Sequence, residues 1–252
     1  MRFKFNKEVE YFIKKFFVSE KFLLKKRLKR AINNEYDQEI GLLDMVVNKK
    51  LESIDVGVYR GVYSYKMSKI SSHVHSFEPN PLIYPYLEKN LKKIISNVTL
   101  YNIALSDKSE VVDLKVPKRF KVLIKKNYEE AYKLGLATIH KENSLEKNQF
   151  SLFKVKAEKL DNIMQNRKIG FMKIDVEGHE KNVLLGAEMI IKKNKPNLLV
   201  EIEERHTNEK IENVLGFIND FGYRSFFSDG HNLIETKKLK NYNQKNNYFF
   251  IP

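Results

Sequence analysis

Ser53-Ile-Asp-Val-Gly-Val-Tyr-Arg-Gly-Val-Tyr-Ser64 is the stretch on which the fold turns. Ser53–Val56 has strand character and runs into Gly57, and a second glycine, Gly61, opens a helical pattern over Gly61–Ser68. A strand that breaks at glycine into a helix is the ligand-binding turn of a parallel α/β sheet, because glycine lets main chain approach a bound molecule and the helix N-terminus faces it. A dinucleotide site would want glycine where Tyr59 stands, and Asp55 would put negative charge beside the phosphates. Both count against a nicotinamide cofactor. A ligand with an ammonium-bearing amino acid end would instead be favoured by Asp55. Two glycines alone suit a plain tight loop equally well, so the flanking sequence has to decide.

Outward from this stretch, compact apolar runs alternate with helical patterns. The remaining strands are expected at His73–Phe77, Val98–Ile103, Phe171–Ile174, Leu198–Ile202, Tyr223–Phe227 and Tyr248–Ile251, and the remaining helices at Ile83–Ile95, Lys181–Lys193 and Lys210–Asp220. Strict alternation of this kind predicts a doubly wound α/β domain, an open and mostly parallel sheet with helices on both faces. The second strand ends in Phe77-Glu78-Pro79-Asn80-Pro81, so a carboxylate follows Asp55 by 78 − 55 = 23 positions. That is close to the offset of about 20 at which an acid on the second strand binds a ribose diol. The plainer alternative is a helix start, with Asn80 as cap and Pro81 at the first helical position.

The rhythm fails between residues 111 and 166, where a hairpin (Val111–Val116), a lysine-rich helix (Asn127–Leu136) and a strand (Leu152–Ala157) are expected. An insertion beside the carboxyl ends of parallel strands is a natural substrate lid. Residues 1–48 form an N-terminal helical extension. Its first 30 residues hold eleven Lys and Arg against three Glu, +8 of the whole chain's 46 − 32 = +14. Val9, Phe12, Ile13, Phe16, Leu24 and Leu28 recur at helical spacing with lysines opposite. The favoured reading is a helix packed on the domain with a solvated basic face. The rival is peripheral contact with an anionic membrane surface through residues 1–30.

Composition narrows the chemistry. In 252 residues the hydrophobic fraction is 42%, with 17 Phe and 13 Tyr, enough for a sizeable core. Zero Cys excludes disulfides, thiolate metal ligands, iron–sulfur clusters and a cysteine nucleophile. No run approaches the ~18 apolar residues of a membrane span, and no signal-peptide pattern opens the chain, so a cytoplasmic location is expected.

Two more strand tips end in polar residues, Asn102-Ile-Ala-Leu-Ser-Asp107 and Lys173-Ile-Asp-Val-Glu-Gly-His-Glu180. Together with Asp55–Ser64, Phe77–Pro81, Leu160-Asp161 and Asn247–Pro252, in this order, they resemble the hallmark segments of the FkbM family of S-adenosylmethionine-dependent methyltransferases. The likeness covers roughly residues 50 to 252, and the Lys173–Glu180 run is its most specific part. The resemblance implies a seven-stranded class I methyltransferase (Rossmann-like) sheet over residues 49–252 with the last strand antiparallel. It also implies S-adenosyl-L-methionine as cofactor and O-methylation of a hydroxyl on a surface-polysaccharide sugar, a glycan precursor or a natural product. It carries Asp55, Gly57 and Gly61 to the methionine end of the cofactor, Glu78 to the ribose, and the turn Asn102–Ala104, hence Asn102 and Ala104, to the adenine neighbourhood. Where the family usually has Ala-Asn, this chain has Val58-Tyr59.

Methyl transfer to a hydroxyl needs in-line alignment and a proton acceptor. Asp175 is the first choice, since it ends a strand expected to be buried; His179 is second, and Glu177 would support substrate or cofactor. His140 and His206 are further candidates, for which an ordinary loop histidine is the favoured reading. Glu177, Glu180, Glu201 and Glu203 lack the loop spacing of a cation site, and no metal is expected. Two other functions stay open: an RNA methyltransferase, prompted by the charge of +14 although no nucleic-acid partner is expected, and an inactive binding module on the same fold, prompted by Tyr59.

Overall fold

The computed structural model describes residues 19–33, 37–117, 137–140, 150–207, 209–239 and 241–252. The expected helix at Asn127–Leu136, along with Phe12 and Phe16, lies outside them. The central sheet is built from β1 (Glu52–Val56), β2 (Val74–Phe77), β3 (Val98–Tyr101), β7 (Ile169–Ile174), β8 (Asn197–Glu201), β9 (Arg224–Ser228), β10 (Leu233–Glu235) and β11 (Asn247–Ile251), in the order β10-β9-β11-β8-β7-β1-β2-β3. Pairings from β8 across to β3 are parallel, and β11 runs antiparallel to both β8 and β9. This is the expected sheet with its antiparallel last strand. One short strand, β10, is added at the edge by an antiparallel pairing with β9; three residues are too few to show a period in sequence.

Because both faces are covered, the inner strands are apolar on both sides. Within β7, Phe171 faces one cluster and Met172 and Ile174 the other. The Phe171 side is roofed by α1 (Glu20–Asn33), α2 (Gln38–Val46), α3 (Val62–Met67) and α4 (Tyr84–Asn90). In α1, Leu24 and Leu28 are the buried pair, one turn apart, each worth about 1.5–3 kcal/mol of burial. The opposite face carries α5 (Leu160–Met164), α6 (Glu180–Leu185), α7 (Glu188–Asn194) and α9 (Ile211–Asn219), with α8 (Glu204–Thr207) after β8. Among the described residues no helix is long and apolar enough to cross a membrane.

Three expectations need amending. The helix expected at Ile83–Ile95 closes at Asn90 as α4, and the chain goes on in turns in which the N–H groups of Ile94 and Ile95 donate to the Leu91 carbonyl. Lys181–Lys193 is not one helix but α6 and α7, broken at Gly186-Ala187. A Cβ on Gly186 would lie 2.0 Å from the Ser106 carbonyl oxygen, so the chain must bend there around a close approach of two backbones. The free N–H groups that the break leaves on Met189 and Ile190 are taken up by the two carboxylate oxygens of Asp161, at 2.9 and 3.0 Å. Likewise Val111–Val116 is not a hairpin by itself but lies within a single strand, β5 (Glu110–Pro117). Its partner is β6 (Phe150–Glu158), so the hairpin closes across the insertion. With β4 (Ala104–Leu105) these form a three-stranded second sheet around Leu114, Val116, Val155 and Ala157.

Candidate functional site

The chain lays β2 and β3 on one side of β1, then returns to place β7 and β8 on the other. The switch point is therefore between β1 and β7, and in open sheets of this kind the carboxyl ends of the strands at that point are where ligands bind. Asp55 and Lys173 are register partners across this pair and share a sheet face. Asp55 is fully buried. Its Oδ2 accepts from Ser64 Oγ at 2.5 Å, whereas its buried Oδ1 has no partner among the described residues. Burial raises its pKa, against the opposing pull of Lys173 and Ser64.

The first turn approaches the second strand tip closely. Tyr59, at φ 47° in the left-handed region, donates its main-chain N–H to Glu78 Oε2 at 2.8 Å, while Asn80 N–H donates to Glu78 Oε1 at 2.9 Å. Asn102 Nδ2 in turn donates to the Glu78 carbonyl at 2.9 Å, so Asn102 fixes the β2 tip. Burial pushes the Glu78 carboxyl up to about 7 despite these two donors. The Tyr59 side chain packs against the apolar cluster beneath α3 and α4, with the Arg60 guanidinium 4.9 Å from its ring centroid. Gly61 (φ 73°) caps α3, and a Cβ there would press on Leu91 at 2.9 Å. Ala104 is buried in the small sheet, opposite Ala157.

At the β7 tip, Lys173 is almost wholly buried and its Nζ donates to Asp175 Oδ2 at 2.8 Å. Burial would drive the ammonium's pKa down, but Asp175 and Asp55 outweigh it and hold the group charged. Burial alone would likewise raise Asp175; the Lys173 charge and a hydrogen bond from Glu201 carry it below the ordinary carboxylate range. Glu201, at the tip of the adjacent strand, is pushed the other way by burial and by Asp175, so it keeps its proton and serves as the donor. Asp175 is not a helix cap: that position before α6 belongs to His179.

The loop from Asp175 to α6 is held by Glu180, whose Oε1 accepts from Val176 N–H at 3.1 Å and Gly178 N–H at 3.0 Å. Glu177 has φ 57°, and burial, with Asp175 beside it, pushes its carboxyl up to about 8. Its Oε2 lies 3.1 Å from His206 Nε2, which is also 3.5 Å from Glu203. His179 points toward β4 instead: its Nε2 is 2.9 Å from Ser106 Oγ, and its Nδ1 is buried with no partner among the described residues. Burial, with His140 nearby, pulls its pKa to about 4, so the ring is neutral. Two clefts, of about 220 and 440 Å³, flank Ile202-Glu203 just beyond β8; Asp55 and Glu78 line neither. His140, Lys181 and Glu209 border the smaller, Arg205 and Asn246 the larger. No group of three or more His, Asp or Glu among the described residues is arranged to hold a metal.

With this geometry in place, the comparisons with known proteins decide the family. A profile for the methyltransferase FkbM domain matches residues 55–225, about two thirds of the chain. The chain belongs to the FkbM methyltransferase family. Among solved structures it is similar to an FkbM methyltransferase from Methylobacillus flagellatus, at 14% identity and a TM-score of 0.52 over 81% of this chain and 44% of that one. It thus spans less than half of that protein's length. It is also similar to SMU.1697c of Streptococcus mutans in complex with SAH (12% identity, TM-score 0.47, 84% and 94% covered) and to a SAM-dependent methyltransferase from Aquifex aeolicus (15%, 0.44, 93% and 100%). No curated protein matches. Family membership supports methyl transfer dependent on S-adenosylmethionine, with that molecule as the cofactor.

The residues present fit that group. Asp55 Oδ1 is a buried acceptor awaiting a donor, and each Glu78 oxygen, engaged by one N–H, retains a lone pair for a ribose hydroxyl. In the sequence Lys173 has no role of its own, and Glu201 stands only among the carboxylates weighed for a cation. A signal for Lys173 was there: a lone cation inside the apolar run Phe171-Met-Lys-Ile, two residues before the acid it meets. Glu201 carries no such mark, because its partner is defined only by the neighbouring strand.

Proposed function

We propose that this methyltransferase methylates a hydroxyl oxygen, on a sugar of a surface polysaccharide or its cytoplasmic glycan precursor. The observation that carries the reading is Asp175: an ionised, partly exposed carboxylate beside the β1–β7 switch point, with Lys173 on one oxygen and a proton-bearing Glu201 as its other partner. The cofactor, when bound, supplies an electrophilic methyl on a sulfonium. An acceptor hydroxyl would be the nucleophile toward that methyl, and the part played by this chain is to orient the hydroxyl and take its proton. Asp175 accepts the hydroxyl hydrogen, aligns the oxygen for in-line attack and takes the proton as the bond forms, passing it on to solvent. A carboxylate held this low is a weak base, so its main contribution is alignment. Neither Glu177, protonated at neutral pH, nor His179, tied to Ser106, is as well prepared for that task.

The test is mass spectrometry of surface glycan from a strain lacking the gene, where loss of a methyl increment of about 14 Da is expected. An unchanged glycan together with a missing methylated nucleoside in the RNA would replace this reading with the RNA one.

A further inference from the structure

We infer that Lys173 is a positioning residue that ties the cofactor turn after β1 to the Asp175 carboxylate, so that the two halves of the site are set as one unit. The inference rests on the methyl-transfer reading above and adds a residue and a coupling to it.

Three contacts surround the ammonium. Its Nζ is 2.8 Å from Asp175 Oδ2, 3.4 Å from the Gly57 carbonyl oxygen, and 4.8 Å from the centroid of the Tyr63 ring at the start of α3. With 4% of the side chain exposed, water cannot substitute for any of them. The turns it joins already touch through main chain: a Cβ on Gly57 would lie 1.8 Å from the Asp175 carbonyl oxygen, and Asp175 N–H donates to the Val56 carbonyl at 3.1 Å. A movement of the Gly57 turn therefore moves the floor under Asp175, and Lys173 transmits it to the carboxylate. The other titratable groups near this pair are Asp55 on β1, Asp37 before α2, Glu78 at the β2 tip, the proton-bearing Glu201 on β8, and Glu177, Glu180 and His206 beyond the β7 tip. Lys173 is therefore the cation bonded directly to Asp175.

The test uses the full chain and needs no acceptor. Carbon-detected NMR titration of the aspartate carboxyls, with Asp175 assigned through Asp175→Asn, is run on the wild type and on Lys173→Met. An adjacent opposite charge lowers a carboxylate by about 1–3 units, so the Asp175 midpoint is expected to rise by at least about one unit in Lys173→Met. Calorimetry with S-adenosylmethionine is expected to show at least about tenfold weaker binding by the same variant, because the Gly57 turn is released. A folded Lys173→Met in which either quantity is unchanged overturns the coupling. Should Lys173→Met not fold, the wild type decides: saturating S-adenosylhomocysteine is expected to shift both the Lys173 Nζ and Asp175 Cγ resonances, and unmoved resonances overturn the inference. If neither cofactor form binds the wild type, the methyl-transfer reading fails, and the coupling with it, while the Asp175 midpoint still reports whether Lys173 holds that carboxylate.

Discussion

Glu78, the expected ribose ligand at the tip of β2, has a carboxyl raised to about 7, because burial outweighs the two N–H groups bonded to it. Ribose hydroxyls donate to the ionised form. Below pH 7 the protein must release a proton to bind, so affinity for S-adenosylmethionine should weaken about tenfold between pH 8 and pH 6. Calorimetry at the two values checks this, with Glu78→Gln as the control that should abolish the dependence; a wild-type dissociation constant that is flat with pH would count against an ionised Glu78 at the ribose. For Asp175→Asn the expectation is a loss of turnover of about 100-fold or more with cofactor affinity preserved, since the amide keeps the shape but loses the charge that aligns the hydroxyl and takes its proton. Full activity in that variant would remove Asp175 from the chemistry. At this scale the sequence was informative where spacing alone places a residue. Glu78, offset by 23 from Asp55, could be singled out, and Lys173 left a mark as a lone cation in an apolar run; Glu201 could not, because it comes from another strand and meets Asp175 only in the folded sheet.

Strands and helices were legible from their periods, and most fall within a residue or two of expectation. Breaks imposed by contacts were not: Gly186 divides α6 from α7 because of Ser106, a residue 80 positions earlier. Glycines therefore need to be sorted by what surrounds them. Gly57, with φ 85° and the Asp175 carbonyl oxygen in the place of any Cβ, sits where two strand-to-helix turns meet. Gly57→Ala should cost more than about 2 kcal/mol, from left-handed strain plus displacement of backbone, and should weaken cofactor binding as well. Gly41, exposed inside α2 with nothing within 4 Å, is the converse. Gly41→Ala should add about 0.5–1 kcal/mol and raise Tm by a few degrees. Thermal melts of the pair check both; equal effects would mean that the meeting of the two turns is not tight.

For the whole molecule, the carboxyls buried at one end of the sheet shape the pH dependence of stability. Glu78 and Glu180 are raised to about 7 and Glu177 to about 8, each from an ordinary 4.5, so the folded state holds protons there that the unfolded chain has released. Their contribution is greatest in acid and is lost as pH rises through 7 and 8. His179, lowered from 6.5 to about 4, acts in the opposite sense, but only below about pH 6.5. Above that value the carboxyls act alone, and Tm should fall between pH 6.5 and 8.5; calorimetric melts with a flat or rising Tm would contradict the burial of these groups. The same concentration of costly polar groups at the carboxyl ends of β1, β2 and β7 marks the functional end of the fold. That it serves the cofactor is tested most directly by isothermal titration of S-adenosylmethionine into the wild type and Glu78→Ala. The expected result is saturable one-site binding to the wild type, weakened about ten- to a hundred-fold, or about 1.5–3 kcal/mol, in the variant. No binding to the wild type, or the same dissociation constant in both, would contradict it.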